Sequence, residues 1–589
     1  METATETVKC YTKEETLREN TAVSCEDILP DYLQDIEKIA KVDAVLLPQQ
    51  HSMESAALCC RGNVVFTVVY FSPDGEIFTR QITLPYEINC KAEHLTPQSI
   101  VRIGQKAEGV SCRVATPRKL MLRAQVRTEL CRYEPPCTEA KLEGDADACG
   151  KIMQRKHSVT GCRMLAGEDR DAKLGADLVL PGNYPEIETL LDITLTPLPP
   201  KTTMQQGGIE YSAPCRILLF YKGSDGEYYS YSQTVQAEGL IPIAEASPKM
   251  SCFAQSTLCS KSVQSAPDNM GQMRVVEIDA LLHIECTCFQ NTPMQITVDA
   301  FSANCPLKAD YAPLRCEELC LCTKSALTLS GSTKTESHVK KILCLDAAAD
   351  YKGSTVEDDQ LICNGIVSLR GFYQNETGKP EAFGAEIPFK YKTAYRATEG
   401  EQPGEVLCFA AVSSVQGDAG TDGIDVRCEL ELALCAKKVA EVTALCSLRA
   451  DATESYPPRQ SDTLLLYYAQ NGEDIYEIAK QYHTDPELLR AANKLPKTAE
   501  KVAADGPMGH RRLCKDFGWG SGAVLFAKSS FREISQANRE STRILARLLF
   551  AKSSFDEYFK QKRESTAAAP KEFIFYFSKL KFFREISGL

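Results

Sequence analysis

The residues of this chain that could do chemistry are its cysteines and its acidic turns, and neither set has the spacing of a metal or catalytic site. Cys316, Cys320 and Cys322 form a dense cysteine group, but no nearby histidine completes a zinc set. The segment 418–429 nearly spells a calcium loop, yet Gly420 stands where a side-chain oxygen is needed and a strand pattern follows. We expect a hairpin turn there, and no metal, no cofactor and no enzyme activity, although a triad assembled in space leaves no sequence trace.

The composition excludes several classes of protein. The chain has 589 residues and a net charge of −12, from 67 Lys and Arg against 79 Asp and Glu, which disfavours general nucleic-acid binding. Its start is polar and acidic, and no long apolar run follows, so we expect neither a secretory signal nor a membrane span. Without export, most of the 26 cysteines are expected to be reduced and to act as small apolar side chains. Later oxidative cross-linking stays open.

The chain repeats itself, and the repeats are the elements that must position any site. Leu29-Pro30 recurs as Leu180-Pro181, and Asp74-Gly75-Glu76 recurs as Asp225-Gly226-Glu227, both 151 residues later. A third copy follows 152 residues after the second, where Tyr373 matches Tyr221. We therefore predict an N-terminal segment, three repeats with linkers that hold some local structure, a small module and a tail. In order, these predicted segments are 1–25, 26–135, 136–178, 179–290, 291–335, 336–450, 451–464, 465–508 and 509–589.

Each repeat is predicted to be mainly β structure. Alternating apolar residues before Ser72 and after Gly75 indicate a hairpin, because Gly accepts the positive φ of a tight turn. The same pattern returns around Gly226 and Gly378. Late in the third repeat, the segment 424–432 places apolar residues on one face at period two. The short element at 35–40 could be a helix or a strand.

A helical period begins near residue 475. Ile475, Ile478, Ala479 and Tyr482 share one helix face, and Asp474 or Glu473 can cap that helix. A second helix is predicted with Asp485 as its N-cap and Pro486 at its first position. Its buried residues are predicted to be Leu488, Leu489 and Ala492.

This module resembles a LysM domain. The resemblance is carried by Gly472, Ile475, Ile478, Ala479, Tyr482, Leu488, Leu489, Asn493 and Leu495, and it departs at Asp474, where LysM domains usually have Thr or Ser. LysM domains generally bind N-acetylglucosamine polymers between the loop that opens the first helix and the loop after the second. The resemblance thus implies a binding site for a glycan or a partner, formed by Asn471, Gly472, Glu473, Asp474, Ile475 and Asn493. A packing module without glycan affinity is the alternative.

Three β-rich repeats followed by a LysM-like module resemble the SipL-type spore envelope proteins, which carry repeated SPOCS (spore-coat-associated) domains. The resemblance covers about residues 20–505. It implies a protein of spore-forming Firmicutes that acts in the mother-cell cytoplasm at the forespore surface. It also implies sandwich-like SPOCS units and a module that binds the coat-basement ATPase SpoIVA. Through that contact the chain would tether coat proteins to the forespore surface. The alternative is a cell-wall protein that binds peptidoglycan, which would need export.

The tail departs from this pattern. Residues 509–589 contain 16 Lys and Arg and 8 Asp and Glu, a net of +8, and the heptapeptide 525–531 recurs as 549–555. We hypothesise that the tail is translated repeat DNA after a frameshift; a basic appendage that binds an acidic surface is the alternative. The module is therefore expected to be a βαα unit that lacks its closing strand, which would leave an unpaired sheet edge.

Overall fold

The protein is described by a computed structural model. The described residues are 10–54, 57–91, 96, 99–135, 141–144, 150–166, 170–396, 401–420, 423–450, 456, 464–465, 467–470, 472–493, 495–502, 510–513, 526–527 and 574–575. They fall into two compact units. The first unit, here called the three-copy body, takes its residues from 1–136, 159–294 and 314–442. The second unit takes its residues from 137–158, 295–313 and 443–589.

The first repeat folds into two antiparallel sheets. Its strands are β1 (Thr12–Ile28), β2 (Lys38–Glu54), β3 (Ala57–Phe71), β4 (Ile77–Lys91), β5 (Ile100–Thr116) and β6 (Lys119–Glu134), and a short strand β7 (Lys141–Gly144) follows. One sheet has the order β2-β3-β4 and the other the order β1-β6-β5. Val23 of β1, Phe66 of β3 and Leu122 of β6 share one buried core, so the two sheets form a sandwich.

The second repeat has the same arrangement with more strands. Its strands are β8 (Ile152–Ala166), β9 (Arg170–Val179), β10 (Ile187–Pro197), β11 (Lys201–Gln205), β12 (Gly208–Gly223), β13 (Tyr228–Pro242), β14 (Ser251–Pro267) and β15 (Met273–Ser302). Strand β12 lies between β13 and the pair β10 and β11, and β15 pairs with β14, β8 and β9. Leu174, Ile217 and Leu282 lie in one core that both sheets share.

The third repeat repeats this topology again. Its strands are β16 (Leu307–Lys334), β17 (Val339–Glu357), β18 (Gln360–Asn375), β19 (Pro380–Ala394), β20 (Gln402–Ala419) and β21 (Gly423–Ala450). The sheet orders are β17-β18-β19 and β16-β21-β20. Val367 of the first sheet and Cys428 of the second are buried in one core. The prediction of a mainly β protein is therefore confirmed.

The predicted hairpins are confirmed in all three repeats. Phe71 pairs with Ile77, and Gly75, Gly226 and Gly378 have φ values of 82°, 83° and 82°. These values lie in the region that only Gly adopts without cost, so the recurring Gly fixes each turn.

Three equivalent tyrosines show that the repeats are the same fold in detail. Tyr70 Oη donates to Gln34 O at 2.9 Å, and Tyr221 Oη donates to Pro185 O at 3.2 Å. In the third repeat Tyr373 Oη accepts from the Ser337 amide at 3.3 Å. All three partners lie 36 residues before their tyrosine, so each buried hydroxyl ties the hairpin to the segment that leads into it.

The three repeats meet through equivalent positions. Lys41 Nζ lies 2.9 Å from Asp192 Oδ2, its counterpart 151 residues on. The rings of Phe220 and Phe372, 152 residues apart, stack at 5.1 Å with an interplanar angle of 4°. When equivalent positions of two copies of a fold touch, they lie near the rotation axis that relates the copies. Val69, the equivalent of Phe220 and Phe372 in the first repeat, is buried in the same cluster as their rings. The repeats therefore surround a pseudo-threefold axis.

Much of the two expected linkers is β structure. The expected linkers 136–178 and 291–335 carry β7, β8, most of β9, the end of β15 and all of β16. The element at 35–40 runs into strand β2. In β16 the side chains of a long stretch alternate between half-buried and exposed, so many of its residues are polar. The polar composition of a strand with one solvated face therefore resembles that of a linker.

The second unit contains both helices of the described part of the chain. Its elements are β22 (Leu464–Leu465), β23 (Tyr467–Gln470), α1 (Ile475–Gln481), α2 (Pro486–Ala492), β24 (His510–Leu513), β25 (Phe526–Ala527) and β26 (Ile574–Phe575). Here the end of β21 pairs in parallel with β7, and Ala300, Leu445 and Leu448 form a small core.

The expectation of a missing closing strand was wrong. Strand β24 pairs antiparallel with β23, and β25 pairs with β24. Backbone amides and carbonyls can pair whatever side chains they carry, so a segment that departs from the LysM sequence pattern still supplies a strand. Most of the tail, including Trp519, lies outside the described residues.

Candidate functional site

The two short helices begin as predicted from the sequence. The Asp474 side chain accepts from the Tyr476 amide at 2.8 Å, and the Asp485 side chain accepts from the Glu487 amide at 2.8 Å. Pro486 occupies the first turn of α2. Each cap satisfies an amide that the helix itself leaves unpaired. We call residues 467–502 the helical module.

The apolar face predicted for α1 is confirmed. Ile475, Ile478, Ala479 and Tyr482 are all buried in the core of the helical module. Of the residues predicted to be buried in α2, Leu489 is buried and Ala492 is half-buried, but Leu488 is 44% exposed. Helical residues next to each other in sequence point about 100° apart. A helix that packs on one side only therefore buries one of the two leucines and exposes the other.

The loop that opens α1 is held by the chain segment that follows α2. The Gly472 amide donates to Val502 O at 2.8 Å, and the Val502 amide donates back to Glu473 O at 2.8 Å. The Ile475 amide donates to Glu500 O at 2.9 Å. Gly472 has a φ of 83°, which a residue with a side chain would adopt only with strain. The backbone amides of Gly472 and Ile475 are therefore already bonded within the module.

An arginine from a distant strand binds two acidic side chains at the start of α1. Arg155 of β8 lies 2.6 Å from Asp474 and 2.7 Å from Glu477. The same guanidinium lies 5.6 Å from the centroid of the Tyr476 ring. The two terminal nitrogens of one guanidinium thus pair with two carboxylates, while its face packs on an aromatic ring.

Further contacts fasten the helices to the strands of the same unit. Lys151 Nζ lies 2.8 Å from Asp485 and 3.1 Å from Glu487. Lys480 Nζ lies 2.6 Å from Asp299 of β15.

An aromatic contact reinforces these pairs. The ring of Tyr476 meets that of Phe301 edge-on at 5.1 Å, and its hydroxyl donates to Met153 O at 3.3 Å. No sequence pattern indicates these partners, because more than 170 residues separate each of them from the helices.

The residues predicted for binding have distinct places. Asp474 caps α1, Ile475 is buried, and Asn493 ends α2, where its Nδ2 donates to Leu489 O at 2.7 Å. Gly472 is exposed, and Glu473 accepts a hydrogen bond from the Tyr467 hydroxyl. Asn471 lies outside the described residues.

The exposed face of α2 is the surface that sequence reasoning missed. Glu487, Leu488 and Ala491 are all exposed, and their spacing places them on one side of the helix. An exposed leucine beside a carboxylate that already pairs with Lys151 suits contact with a protein surface that is partly apolar and partly polar. We call these three residues the α2 face.

A second group of ionisable residues is buried in the three-copy body. Lys437 Nζ lies 2.9 Å from Glu317 and 3.3 Å from Glu405, and its side chain is 1% exposed. Lys13 Nζ lies 2.9 Å from Glu405, and the Tyr133 hydroxyl donates to Glu405 at 2.7 Å. We call these five residues the buried charged cluster.

Pairing keeps this cluster charged. Burial alone would lower the pKa of Lys437, but the charges of Glu317 and Glu405 outweigh burial and raise it. Burial would raise the pKa of Glu405, yet Lys437 and Lys13 hold it below its usual value. Burial, followed by the charge of Glu405, raises the pKa of Tyr133. Each charge meets an opposite one, so the cluster is a structural ion network.

Neither helix of the described residues is long and apolar enough to cross a membrane. Within the described ranges, no three His, Cys, Asp or Glu side chains are grouped so that they could hold a metal ion. No family model, curated protein or solved structure matches this chain.

Proposed function

We propose that this chain is a non-enzymatic assembly protein of the spore envelope, similar to SipL-type proteins. It holds coat proteins at the forespore surface through protein–protein contacts, in the cytoplasm of the mother cell. Its helical module binds the coat-basement ATPase of the SpoIVA type. The observation that carries the proposal is the arrangement of three sandwiches about one axis, because such a body presents similar faces in several directions at once.

Several weak contacts on one rigid body give firm attachment. Linking binding sites converts each further contact into an intramolecular event, which raises the total affinity without any new interaction. Without the tail the chain carries 51 Lys and Arg against 71 Asp and Glu, or −20, since the tail has 16 and 8 of the chain's 67 and 79. An acidic surface favours partners with basic patches and makes their association sensitive to salt.

The helical module is suited to recognise one partner because its surface is fixed. Arg155, Lys151 and Lys480 hold both helices against strands of the same unit. A face that is ordered before binding loses little entropy on binding. The α2 face, with Leu488 at its centre, is the contact that we assign to the ATPase.

Binding to purified SpoIVA-type ATPase tests this function. The full chain, immobilised and washed at low salt, is expected to retain the ATPase. Leu488→Asp places a charge at the centre of the α2 face and is expected to weaken retention by about tenfold. The matched control is Met270→Asp, since Met270 is 86% exposed in the three-copy body and is not part of the α2 face. Unchanged thermal unfolding of both variants shows that they fold.

Equal retention of the ATPase by both variants would remove the α2 face from the proposal. No retention by the unmodified chain would remove the partner itself. Insoluble peptidoglycan provides the second arm of the experiment. Retention on peptidoglycan that depends on residues 471–474 would favour a cell-wall glycan-binding protein instead. In sporulating cells, the fluorescently labelled chain is expected to surround the forespore, and a chain without residues 465–589 is expected to stay dispersed.

A further inference from the structure

A cavity of about 350 Å³ in the three-copy body opens beside a group of cysteines. Strands β11, β14, β16 and β21 line it, and its polar walls include Lys201, Lys324, Cys252 and Cys322. Cys322 Sγ donates to the Cys252 carbonyl at 3.4 Å, which joins the two cysteine-bearing strands at the cavity wall. The volume is large enough for a small polar oxidant and its water to enter.

Two further thiols lie next to Cys252. Cys252 of β14 is directly opposite Cys288 of β15, and Cys286 lies two residues away on the same face of that strand. Directly opposite residues of an antiparallel pair have Cα atoms about 4.5–5.5 Å apart, inside the range of about 4.4–6.8 Å that a disulfide needs. Cys288 is fully buried, and its Sγ lies 3.9 Å from Met204 Sδ. The register therefore places a second thiol within bonding reach beneath the first.

The surroundings of Cys252 favour its thiolate. Hydrogen bonds from the thiols of Cys286 and Cys288, with a contribution from the positive charge of Lys324, hold the pKa of Cys252 well below its usual value. By contrast, burial raises the pKa of Cys259, on the same strand, to about 11. The thiolate is the form of cysteine that attacks oxidants, so the two cysteines should differ in reactivity.

We propose that Cys252 and Cys288 are a peroxide-reactive pair that closes into a disulfide across β14 and β15. In the first step the Cys252 thiolate attacks one oxygen of hydrogen peroxide, which breaks the O–O bond, releases hydroxide and leaves a sulfenic acid on Cys252. In the second step the Cys288 thiol loses its proton and attacks the Cys252 sulfur. The S–S bond forms and the sulfenic oxygen leaves as water. Hydrogen peroxide is thus reduced by two electrons, and the two thiols are oxidised to one disulfide.

The test uses the reduced full chain, treated with a small excess of hydrogen peroxide and quenched at intervals. Intact mass is expected to fall by two hydrogen atoms, and peptide mapping is expected to join the peptides of Cys252 and Cys288. Cys252 is expected to react at least about tenfold faster than Cys259, since a thiolate fraction changes tenfold per pKa unit. In Cys288→Ser the first step still occurs, so a sulfenic-acid reagent such as dimedone is expected to label Cys252.

The control variant Cys259→Ser is expected to form the disulfide at the unmodified rate. Three results would overturn the proposal. One is oxidation of Cys252 no faster than that of Cys259. Another is a disulfide that joins Cys252 to Cys286 in place of Cys288. The third is Cys288→Ser without any dimedone label on Cys252, in protein whose thermal unfolding matches that of the unmodified chain.

Discussion

Charged side chains fasten both the three-copy body and the helical module, but their exposure to solvent differs. In the buried charged cluster, the side chains of Lys437 and Glu317 are 1% and 4% exposed. In the helical module, those of Arg155 and Asp474 are 40% and 20% exposed. Water and salt reach the second pair and weaken it, whereas burial shields the first pair from both.

The difference shows that ion pairs have two roles in this protein, one in folding and one in orienting a module. A buried network makes its region fold as a whole, because each unpaired charge would remain in a poorly solvating interior. Half-exposed pairs orient a surface module, and each contributes little to its stability. The body should therefore unfold in one cooperative step, and the module should loosen at a lower free energy.

The largest effect is expected at Lys437. Lys437→Met leaves Glu317 and Glu405 buried without their shared partner, which is expected to cost about 3–5 kcal/mol of unfolding free energy. Urea denaturation followed by circular dichroism measures this loss. The variant that also carries Glu317→Gln and Glu405→Gln should recover much of the stability, because the unpaired charges are gone. A loss below about 1 kcal/mol in the single variant would mean that this cluster stabilises the fold no more than the exposed ion pairs do.

Acid should weaken the buried charged cluster. The pKa of Glu405 in the folded protein lies below its unfolded value of about 4.3, so its stabilising effect is present above that pH and disappears as pH falls through the folded pKa. Glu405→Gln should be less stable than the unmodified chain at pH 7 but lose less stability between about pH 5 and pH 3. Parallel unfolding curves of both proteins over that range would contradict this assignment.

Asp474 both caps α1 and forms an ion pair with Arg155, and two variants separate these contributions. Asp474→Ala removes both, and the module is expected to lose about 1–2 kcal/mol. Asp474→Asn keeps a capping oxygen and removes the charge, so it is expected to lose about half as much. Hydrogen exchange of the α1 amides reports this local stability. Equal losses in the two variants would show that the cap contributes nothing.

The smallest effect is expected at Arg155. Arg155→Ala should loosen α1 by about 0.5–1 kcal/mol at low salt, and by less at about 1 M salt, where the pairs are screened in the unmodified chain too. Hydrogen exchange in both buffers gives the comparison. A salt-independent loss would mean that Arg155 acts through its packing on Tyr476.

The sequence could predict what depends on neighbouring residues. Gly75 and Gly226 marked hairpins, and Asp474 and Asp485 marked helix starts, since turns and caps form within a few residues. It could not predict the partner of Asp474, because Arg155 lies 319 residues away in a segment whose content of Pro, Asp, Glu and Lys suggested a linker.

Long strands concealed other features for the same reason. Lys437 lies in a strand whose buried face is otherwise apolar, and only the folded structure brings Glu317 and Glu405 to it. Leu488 fitted the apolar pattern of α2 but lies on its outer side. Pattern predicts which side chains can be buried, and packing decides which ones are.

The contacts between equivalent positions have a consequence for how such a body could arise. In a homotrimer of one repeat, every position on the axis faces itself, so a lysine there would meet two lysines. Here the position of Lys41 is occupied by Asp192 and Cys344 in the other two repeats, and Lys41 Nζ binds Asp192. Covalent fusion of duplicated copies lets each one mutate alone, and attraction can then replace self-repulsion at the centre.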